Sequence, residues 1–468
     1  MGPAFDPGSF RDPSGFIFRG EDGLLYRQVN RVYETAYRQL MESGLYEDLA
    51  RDGLLVEHEE APLSLAATAD AVAVLRPRVV PFVSYPYEWC FSQLKEAALL
   101  TLQIQERAMR HGMSLKDCSA YNVLFEGAYP IFIDSLSFTR YEEGAPWAAY
   151  RQFCQHFLAP LALMAFRDAR LNSLLRVHLD GVPLDLASRL LPWRTRARFG
   201  LLTHLHLHAT VQEKDARRQK AGKPSPLASK GQRRVSRTGL RGLVDSLKTT
   251  VAALHCSGAK TEWSNYYANI SYTDEAIQYK EQLVGRFVDQ AAPRQVWDLG
   301  ANTGRFSRVA VQHGAASVVA FDIAPQCVED NFRTCKREGE RRILPLCLDL
   351  TNPSPGLGWA NEERLPLAGR GPADLVLALA LVHHLAIGNN VPLPMIAEYF
   401  SELSEHLVIE FVPKDDPQTQ RLLESRQDVF PHYTRNEFEQ SFSSRFRILG
   451  SDVIPGTNRV VYLMQRAR

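Results

Sequence analysis

One stretch near residue 300 constrains the fold of this chain more than any other. Residues 295–307 read Gln-Val-Trp-Asp-Leu-Gly-Ala-Asn-Thr-Gly-Arg-Phe-Ser, so an apolar run ends in Asp298, a turn of small residues follows, and a helix begins. A strand, a glycine turn and a helix in this order open the doubly wound α/β folds, and such a turn lets a ligand approach the backbone. The stretch therefore predicts an α/β sheet with a ligand site at the turn.

Three glycine-turn motifs compete for this stretch, and their spacing separates them. A dinucleotide fingerprint, G-x-G-x-x-G, would need glycines where Asn302 and Arg305 stand. A phosphate-binding P-loop needs a longer spacing with a lysine after its second glycine. The pattern D-x-G-x-x-x-G fits, with Asp298, Gly300 and Gly304 in its three fixed positions.

This third pattern resembles motif I of the class I S-adenosylmethionine-dependent methyltransferases. That family usually has a glycine where this chain has Asn302, but Asn tolerates a positive φ better than other non-glycine residues. The resemblance implies a Rossmann-like, seven-stranded sheet over residues 241–468 and S-adenosylmethionine as the cofactor. The apolar pattern gives five strands and a closing hairpin, at 295–299, 317–322, 343–349, 374–384, 406–412, 446–454 and 459–465.

Acidic residues at the predicted strand ends are the candidates for cofactor binding. Asp322 lies about 20 residues beyond the turn, where a carboxylate can accept from both ribose hydroxyls. A sulfonium and an amino group favour carboxylates, whereas a phosphate would favour cations. By the family resemblance, Asp349 or Leu350 would meet the adenine. The predicted cofactor-binding set is Asp298, Gly300, Asn302, Gly304, Asp322, Asp349 and Tyr272.

Tyr272 belongs to an aromatic segment that precedes the turn and also contains Tyr266 and Tyr267. In the resembled family such a segment folds over the cofactor or the substrate. Packing of these rings on the sheet is the alternative.

The chemistry is expected at the carboxyl ends of the fourth and fifth strands. His383, His384 and Glu410 are the candidate catalytic residues there, because a neutral imidazole can take a proton from an attacking hydroxyl or amine. Positioning alone can also suffice for methyl transfer, in which case one histidine bonds the backbone and the other packs. The absence of N-P-P-[YF] after the fourth strand argues against methylation of nucleic-acid bases. A looser resemblance to nodulation-type methyltransferases implies a small-molecule or glycan acceptor.

A second constellation lies in residues 1–212, where Asp117, Asn122 and Asp134 follow one another at a characteristic spacing. This spacing resembles the core of the protein-kinase and aminoglycoside-phosphotransferase superfamily, which implies an α+β kinase-like domain. By that resemblance Asp117 would orient a hydroxyl, while Asn122 and Asp134 would hold Mg²⁺ over the phosphates of ATP.

Other sequence features that are typical of that superfamily are not found in this chain. A glycine-rich loop is missing, and the first lysine of the chain is Lys95, so that Arg19 or Arg27 is the nearest cation to replace the expected one. Asp134 precedes Ser-Leu-Ser rather than Phe-Gly. Three interpretations therefore stay open: an active phosphotransferase, a degenerate lobe that binds substrate, or residues that only cap turns and end a strand.

Composition and charge limit the partners. A net charge of +1 predicts no overall attraction to nucleic acid or to an anionic membrane. Residues 213–240 read as a basic flexible linker, since 214–241 hold ten Lys or Arg against one acid; a nucleic-acid arm is the alternative, but no aromatic residue accompanies the charges. His204, His206 and His208 lack an evident third ligand on one helix face, so no metal site is expected.

Seven dispersed cysteines without a C-x-x-C motif indicate reduced thiols and a cytoplasmic location. The first ten residues do not resemble a signal peptide, and no apolar run is long enough to span a bilayer.

Overall fold

A computed structural model describes residues 4–210, 235–256, 273–424 and 428–467. The chain forms two compact units, here called unit 1 and unit 2. Unit 1 comprises Met1–Phe125, Pro130–Ser257 and Leu357–Arg364, and unit 2 comprises Glu126–Tyr129, Gly258–Gly356 and Leu365–Arg468. Each half of the sequence therefore contributes one short segment to the other unit.

Unit 1 begins with a five-stranded antiparallel sheet in the order β1-β2-β3-β5-β4. Its strands are β1 (Ala4–Phe5), β2 (Gly15–Arg19), β3 (Leu25–Asn30), β4 (His58–Ala61) and β5 (Ala71–Pro77). The aromatic and β-branched residues of 14–30, interrupted by Gly20 and Gly23, indicate a hairpin, and β2 and β3 pair antiparallel there. The alternating, proline-containing pattern of 72–83 predicts edge strands or extended chain, but β5 is an inner strand of the sheet, because β4 pairs with its outer edge.

The helices of unit 1 follow this sheet in sequence. α1 buries Tyr37 and Leu40, and α3, at 20 residues, carries a continuous apolar face of buried side chains at helical spacing. The bounds are α1 (Glu34–Glu42), α2 (Leu45–Arg51), α3 (Phe91–Arg110), α4 (Tyr150–Phe153), α5 (Ala159–Phe166), α6 (Leu174–Val177), α7 (Leu184–Leu190), α8 (Phe199–Leu201) and α9 (Arg237–Ala252), with π-helical turns at Cys154–Leu158 and Leu202–Leu207.

Helix α9 packs on α3 within unit 1. Ser236 caps its N-terminus by accepting a hydrogen bond from the Gly239 N–H, and the Lys95 ammonium donates to the Ala252 carbonyl oxygen near its C-terminal end, at 2.7 Å. The predicted linker, 213–240, falls outside the described residues as far as residue 234, and its last residues open α9.

Four short strands of the chain, paired as β6 with β9 and β7 with β8, surround the Asp117 constellation. They are β6 (Met113–Leu115), β7 (Val123–Glu126), β8 (Tyr129–Phe132) and β9 (Phe138–Arg140). Asp117 and Asn122 lie between β6 and β7, and Asp134 follows β8. A kinase-like fold for this unit remains a prediction.

Unit 2 is a seven-stranded mixed sheet in the order β12-β11-β10-β13-β14-β16-β15. The first five strands are parallel, and the closing β15–β16 hairpin is antiparallel. The strands are β10 (Gln295–Leu299), β11 (Ser317–Asp322), β12 (Ile343–Cys347), β13 (Ala373–Ala378), β14 (Ser404–Phe411), β15 (Phe446–Val453) and β16 (Val460–Arg466). The class I methyltransferase sheet that the sequence predicted is thus present.

Helices cover both faces of this sheet, which explains why β13 and β14 are buried on both sides. They are α10 (Asp274–Ala291), α11 (Arg305–Gln312), α12 (Pro325–Glu338), α13 (Leu393–Leu403), α14 (Pro417–Glu424) and α15 (Arg435–Ser443). The Thr273 side chain caps α10 by accepting a hydrogen bond from the Ala276 N–H. The fourth strand was predicted six residues too long: it ends at Ala378, and His383 and His384 lie in a helical turn.

Among the helices that the structure describes, none is both long enough and apolar enough to cross a bilayer.

Candidate functional site

The turn after β10 is built from residues with left-handed backbone conformations. Gly300, Asn302 and Gly304 have φ values of 77°, 50° and 82°. The Gly300 N–H donates to the Phe321 carbonyl oxygen at 2.9 Å, which ties the turn to β11. A Cβ on Gly304 would lie 2.5 Å from the Asn331 side chain, so glycine is required there for close packing as well as for φ.

Asp298, at the end of β10, is buried beside this turn. Its Oδ2 accepts a hydrogen bond of 2.6 Å from the Ser307 hydroxyl. Burial raises the pKa of Asp298 to about 6, with the Ser307 hydrogen bond acting in the opposite direction and the charge of Asp322 adding to the rise. Because burial disfavours the ionised form of this carboxyl group, a nearby positive charge would stabilise it.

The side chain of Asp322, at the end of β11, is hydrogen-bonded to the turn that follows β10. One oxygen accepts from the Asn302 N–H at 2.7 Å, and the other accepts from the Ala324 N–H at 2.8 Å. Burial raises the pKa of Asp322, and these two hydrogen bonds oppose the rise. Since each carboxylate oxygen has two lone pairs, both can still accept from a ligand.

A cavity of about 350 Å³ opens at this edge of the sheet, within unit 2. Its wall contains five of the predicted cofactor-binding positions and one predicted catalytic residue: Asp298, Gly300, Asn302, Asp322, Asp349 and His384. Apolar side chains supply much of the remainder, including Ile277, Phe306, Leu348, Leu379 and Leu381. A mostly apolar cleft with a few convergent polar groups is the usual form of a small-ligand site.

The remaining predicted cofactor residues have different places. Gly304 is the N-cap of α11 and is absent from the cavity wall. Asp349 follows β12, and its Oδ1 accepts from the N–H and the hydroxyl of Thr351 at 2.8 and 2.6 Å. Leu350, its predicted alternative, also lines the cavity. Tyr266, Tyr267 and Tyr272 lie outside the described residues.

Four buried charged side chains form a series of ion pairs next to the cavity, and Lys280 is the member of this series that lines the cavity wall. The Lys280 ammonium, on α10, is 2.6 Å from Oε2 of Glu410. The same Glu410 oxygen accepts from the Ala380 N–H at 2.7 Å, and its other oxygen is 3.6 Å from Arg459. Arg459 in turn is paired with Asp416, at 2.6 and 2.9 Å. Burial lowers the pKa of Lys280, and Glu410 opposes this change.

The two histidines lie next to each other but in different environments. His384 lines the cavity, whereas His383 is fully buried behind it, and neither ring nitrogen of His383 has a hydrogen-bond partner. The ring centroids are 4.1 Å apart. Burial, together with nearby Arg459, lowers the pKa of His384 to about 4, and burial lowers that of His383 well below its usual range. Both rings are therefore neutral near pH 7.

The three predicted catalytic residues are thus separated by the structure. His384 faces the cavity, while His383 and Glu410 are wholly buried and absent from its wall. Sequence reasoning missed Lys280 and Arg459. A signal for Lys280 existed, because it recurs at helical spacing with the buried Ala276, Leu283 and Val284 and so falls on the apolar face of α10. Arg459 precedes a strand and carries no such signal.

In unit 1, Asp117, Asn122 and Asp134 come together, but their side chains are already engaged. Both oxygens of Asp134 are engaged, one by the Arg27 guanidinium and the Leu136 N–H, the other by the Ser137 hydroxyl. Ser137 also accepts from the Asn122 amide at 3.1 Å.

Asp117 accepts from the Ser119 N–H and from the Gln152 amide, both at 2.8 Å. Burial raises its pKa, and the charge of Asp134 contributes to the rise. As arranged, the three residues do not fit a Mg²⁺ ion, because an arginine and two N–H or O–H donors hold the carboxylate that would ligate it.

The histidines of the helical part of unit 1 have ordinary partners. The Tyr150 hydroxyl and the Ser246 hydroxyl lie 2.9 and 2.8 Å from the ring nitrogens of His204, and Ser188 and Thr195 bond those of His206 in the same way. Across the described residues, no group of three or more His, Cys, Asp or Glu is arranged to hold a metal ion.

The groups around the unit 2 cavity fit S-adenosylmethionine. Two buried carboxylates suit a ligand that carries positive charges on sulfur and on its amino group. The positive-φ turn leaves backbone accessible, and the apolar wall suits an adenine ring. The wall also contains the cations Lys280 and Arg305, but each is paired with a carboxylate, Lys280 with Glu410 and Arg305 with Glu281, which makes the wall less suited to a phosphate.

Comparison with known proteins agrees with this chemistry. Residues 277–356 match the family described as FtsJ-like methyltransferase. Together with the seven-stranded sheet, the match defines unit 2 as a class I S-adenosylmethionine-dependent methyltransferase domain. Over 465 residues, 98% of this chain and 96% of the relative, the sequence is 36% identical to the nodulation protein NoeA of Rhizobium meliloti (strain 1021). The chain belongs to the family of that protein.

Solved structures resemble parts of the chain more distantly. The N-methyltransferase NodS of Bradyrhizobium japonicum WM9 matches with a TM-score of 0.30 and 10% identity, over 42% of this chain and 98% of its own. The magnesium protoporphyrin IX methyltransferase of Synechocystis PCC 6803 matches with 0.29 and 15%, over 44% and 90%. The bifunctional kinase-methyltransferase WbdD matches with 0.29 and 14%, over 41% and 40%. Scores of this size establish no shared function.

Proposed function

We propose that the protein moves a methyl group from S-adenosylmethionine to an oxygen or nitrogen of a small-molecule metabolite or glycan, and that unit 1 contributes to binding the acceptor. The cavity at the strand ends of unit 2 carries this proposal, because it combines the carboxylates Asp298 and Asp322 with His384 and Lys280 in one wall. The resemblance to nodulation-type methyltransferases, and the absence of N-P-P-[YF] after the fourth strand, support a metabolite or glycan acceptor rather than a nucleic acid.

Each group in the wall has a role in this proposal. Asp322 accepts from the ribose hydroxyls, Asp349 or Leu350 meets the adenine, and Asp298 stabilises positive charge near the Gly300 turn. When bound, S-adenosylmethionine supplies an electrophilic methyl group on a positively charged sulfur. The positive-φ backbone at Asn302 permits the close approach that such a ligand needs.

On the acceptor side, His384 is the only predicted catalytic residue whose side chain lines the cavity. A ring with a pKa of about 4 is neutral at pH 7 and can accept a hydrogen bond from the hydroxyl or amine of an acceptor. It is a weak base, however, so its main contribution is orientation of the lone pair toward the methyl group. Glu410 acts one step further back by holding Lys280 at the wall.

Isothermal titration with S-adenosylmethionine tests the cofactor site. The parent protein should bind, and Asp322→Asn should bind at least about tenfold more weakly, because one charge-assisted acceptor is lost. Asp289→Asn is the matched control, since Asp289 is an exposed acid of α10 paired with His313. Absence of heat in the parent protein contradicts the proposal.

A mass-spectrometric screen of candidate metabolites and oligosaccharides then tests the acceptor class. The expected result is the gain of one methyl group's mass on a hydroxyl- or amine-bearing compound. His384→Ala should reduce the rate more than the affinity for S-adenosylmethionine. Methyl gain only on an RNA or DNA oligonucleotide would overturn the acceptor assignment.

Free thiols at all seven cysteines support a cytoplasmic location for this reaction.

A further inference from the structure

The surface of unit 1 that follows α7 exposes aromatic and basic side chains side by side. In the segment 190–199, Trp193 is 84% exposed and Phe199 is 77% exposed. Arg194, Arg196 and Arg198 lie between these two rings in sequence and are exposed as well. Such exposure of a tryptophan and a phenylalanine is uncommon on a surface with no partner, since large aromatic residues bury 150–250 Å² elsewhere.

The segment is held in a defined shape rather than projecting loosely. Thr195, at its centre, is fully buried, and its hydroxyl donates to the Pro192 carbonyl oxygen at 2.6 Å. The His206 ring connects it further, with Thr195 2.9 Å from one nitrogen and Ser188 2.8 Å from the other. Residues Trp193–Ala197 form one short 3-10 helix, in which Trp193 and Arg196 fall on the same side.

The charge of this surface is not compensated locally. Within the part of the chain that the structure describes, no carboxylate pairs with Arg194, Arg196 or Arg198; the Arg198 guanidinium instead lies 4.8 Å from the centre of the Phe166 ring. Between Asp185 and Glu213 the sequence contains no acidic residue at all. A net charge of +1 for the whole chain therefore conceals a positive patch here.

We propose that the segment Leu190–Phe199 docks on the surface of an anionic lipid bilayer. The chemistry is complementary: arginines attract anionic headgroups, while Trp193 and Phe199 enter the interface, where amphipathic aromatic rings are favoured. No spanning helix is needed for this mode of binding.

The test is co-sedimentation of the full chain with vesicles, either phosphatidylcholine alone or phosphatidylcholine mixed with phosphatidylglycerol. The expected result is binding to the mixed vesicles only, weakened by salt. Arg194→Gln with Arg196→Gln should reduce partitioning about 25-fold, from roughly fivefold for each arginine. Trp193→Ala should reduce it severalfold, and its fold should survive because the side chain is in solvent.

Trp359→Ala is the matched control, because Trp359 is 74% exposed but has Glu362 and Glu363 as neighbours in sequence. It should bind vesicles like the parent protein. The proposal is overturned if the parent ignores anionic vesicles, or if Trp193→Ala binds them as well as the parent, since the basic residues 214–241 would then account for the attraction. Binding of a single-stranded oligonucleotide that depends on Trp193, without vesicle binding, would overturn it in favour of nucleic acid.

Discussion

Two groups of carboxylates follow strand ends in this protein, one in each unit, and their surroundings give them opposite characters. In unit 2, Asp298 and Asp322 line an open cavity, and among the described residues their side chains accept hydrogen bonds from Ser307 and from backbone N–H groups rather than forming an ion pair. In unit 1, the Arg27 guanidinium and the Ser137 hydroxyl hold Asp134. The comparison teaches that a carboxylate at a strand end is accessible to a ligand only where the fold leaves it without an ion-pair partner and leaves a space in front of it.

The largest effect is expected for the buried ion pair between Lys280 and Glu410, next to the cavity. Glu410→Leu should destabilise the protein by about 3–5 kcal/mol, because it leaves the buried Lys280 ammonium without its carboxylate partner. Urea denaturation measures this loss. Adding Lys280→Met to that variant should recover part of it, since an apolar pair replaces the unpaired charge.

An exposed pair serves as the control. Glu398, paired with Arg445 at 2.7 Å in solvent, should lose no more than about 0.5 kcal/mol when replaced by leucine. Equal losses for Glu398→Leu and Glu410→Leu would mean that the Lys280–Glu410 pair is not buried as described.

The second prediction concerns the closed group in unit 1. Arg27→Met should cost about 2–3 kcal/mol in unfolding free energy, because the largely buried Asp134 loses its cation. Arg76→Met, which removes an exposed pair with Glu59, should change it by about 0.5 kcal/mol or less.

Because Arg27 and Ser137 already hold Asp134, we expect Mg-ATP to give no binding heat in the parent protein. The reason is that Arg27 already neutralises the carboxylate that would ligate the ion. Heat that disappears in Asp134→Asn would contradict the closed arrangement and favour a phosphotransferase in unit 1.

The third prediction uses the pKa of Asp298, which burial raises to about 6. A raised carboxyl pKa means that the folded protein binds a proton more tightly than the unfolded chain does, so stability falls as pH rises from about 4 to 6 and is level above. Asp298→Asn should remove this slope and stabilise the free protein at pH 8 by roughly 1–3 kcal/mol.

The same substitution should weaken binding of S-adenosylmethionine, since the uncharged amide no longer offsets the positive ligand. In the parent protein, affinity should decline as pH falls below about 6. Thermal melts and titrations across this pH range measure both effects. A stability curve of Asp298→Asn parallel to that of the parent would exclude Asp298 as the titrating group.

The smallest effect is expected at Asn302, whose φ is 50°. Asn302→Ala should lose about 1 kcal/mol, because alanine is strained in the left-handed region, whereas Asn302→Gly should be nearly neutral. Urea denaturation with and without S-adenosylmethionine measures both variants. If alanine is tolerated as well as glycine, the backbone conformation at this turn differs from the one described.

How much could be predicted from the sequence differs between the two units. The spacing of Asp298, Gly300 and Gly304 was sufficient to predict a strand, a tight turn and a helix, since these three elements are consecutive in the chain. The exact end of β13 was not predictable, because the apolar run continues through Leu379, Leu381 and Val382 into a helical turn that hydropathy cannot distinguish from a strand.

Ion pairs between residues that are far apart in the chain could not be predicted from the sequence either. Glu410 reads as an acid at a strand end, and only the fold reveals that Lys280, 130 positions earlier, faces it. The same holds for Arg27, in β3, and Asp134, which follows β8, because the two are more than a hundred residues apart in the sequence.

The sequence by itself determined the local elements of this protein: the turn near residue 300, the alternation of strands and helices after it, and the family resemblance that they carry. Only the tertiary structure decided which charged groups stay available, placing His384 at the cavity and His383 behind it, opening the space before Asp322 and closing Asp134 with Arg27. The physical reason is that backbone conformation follows from neighbours in the chain, whereas the charge state and accessibility of a buried group follow from partners that the fold brings from far away.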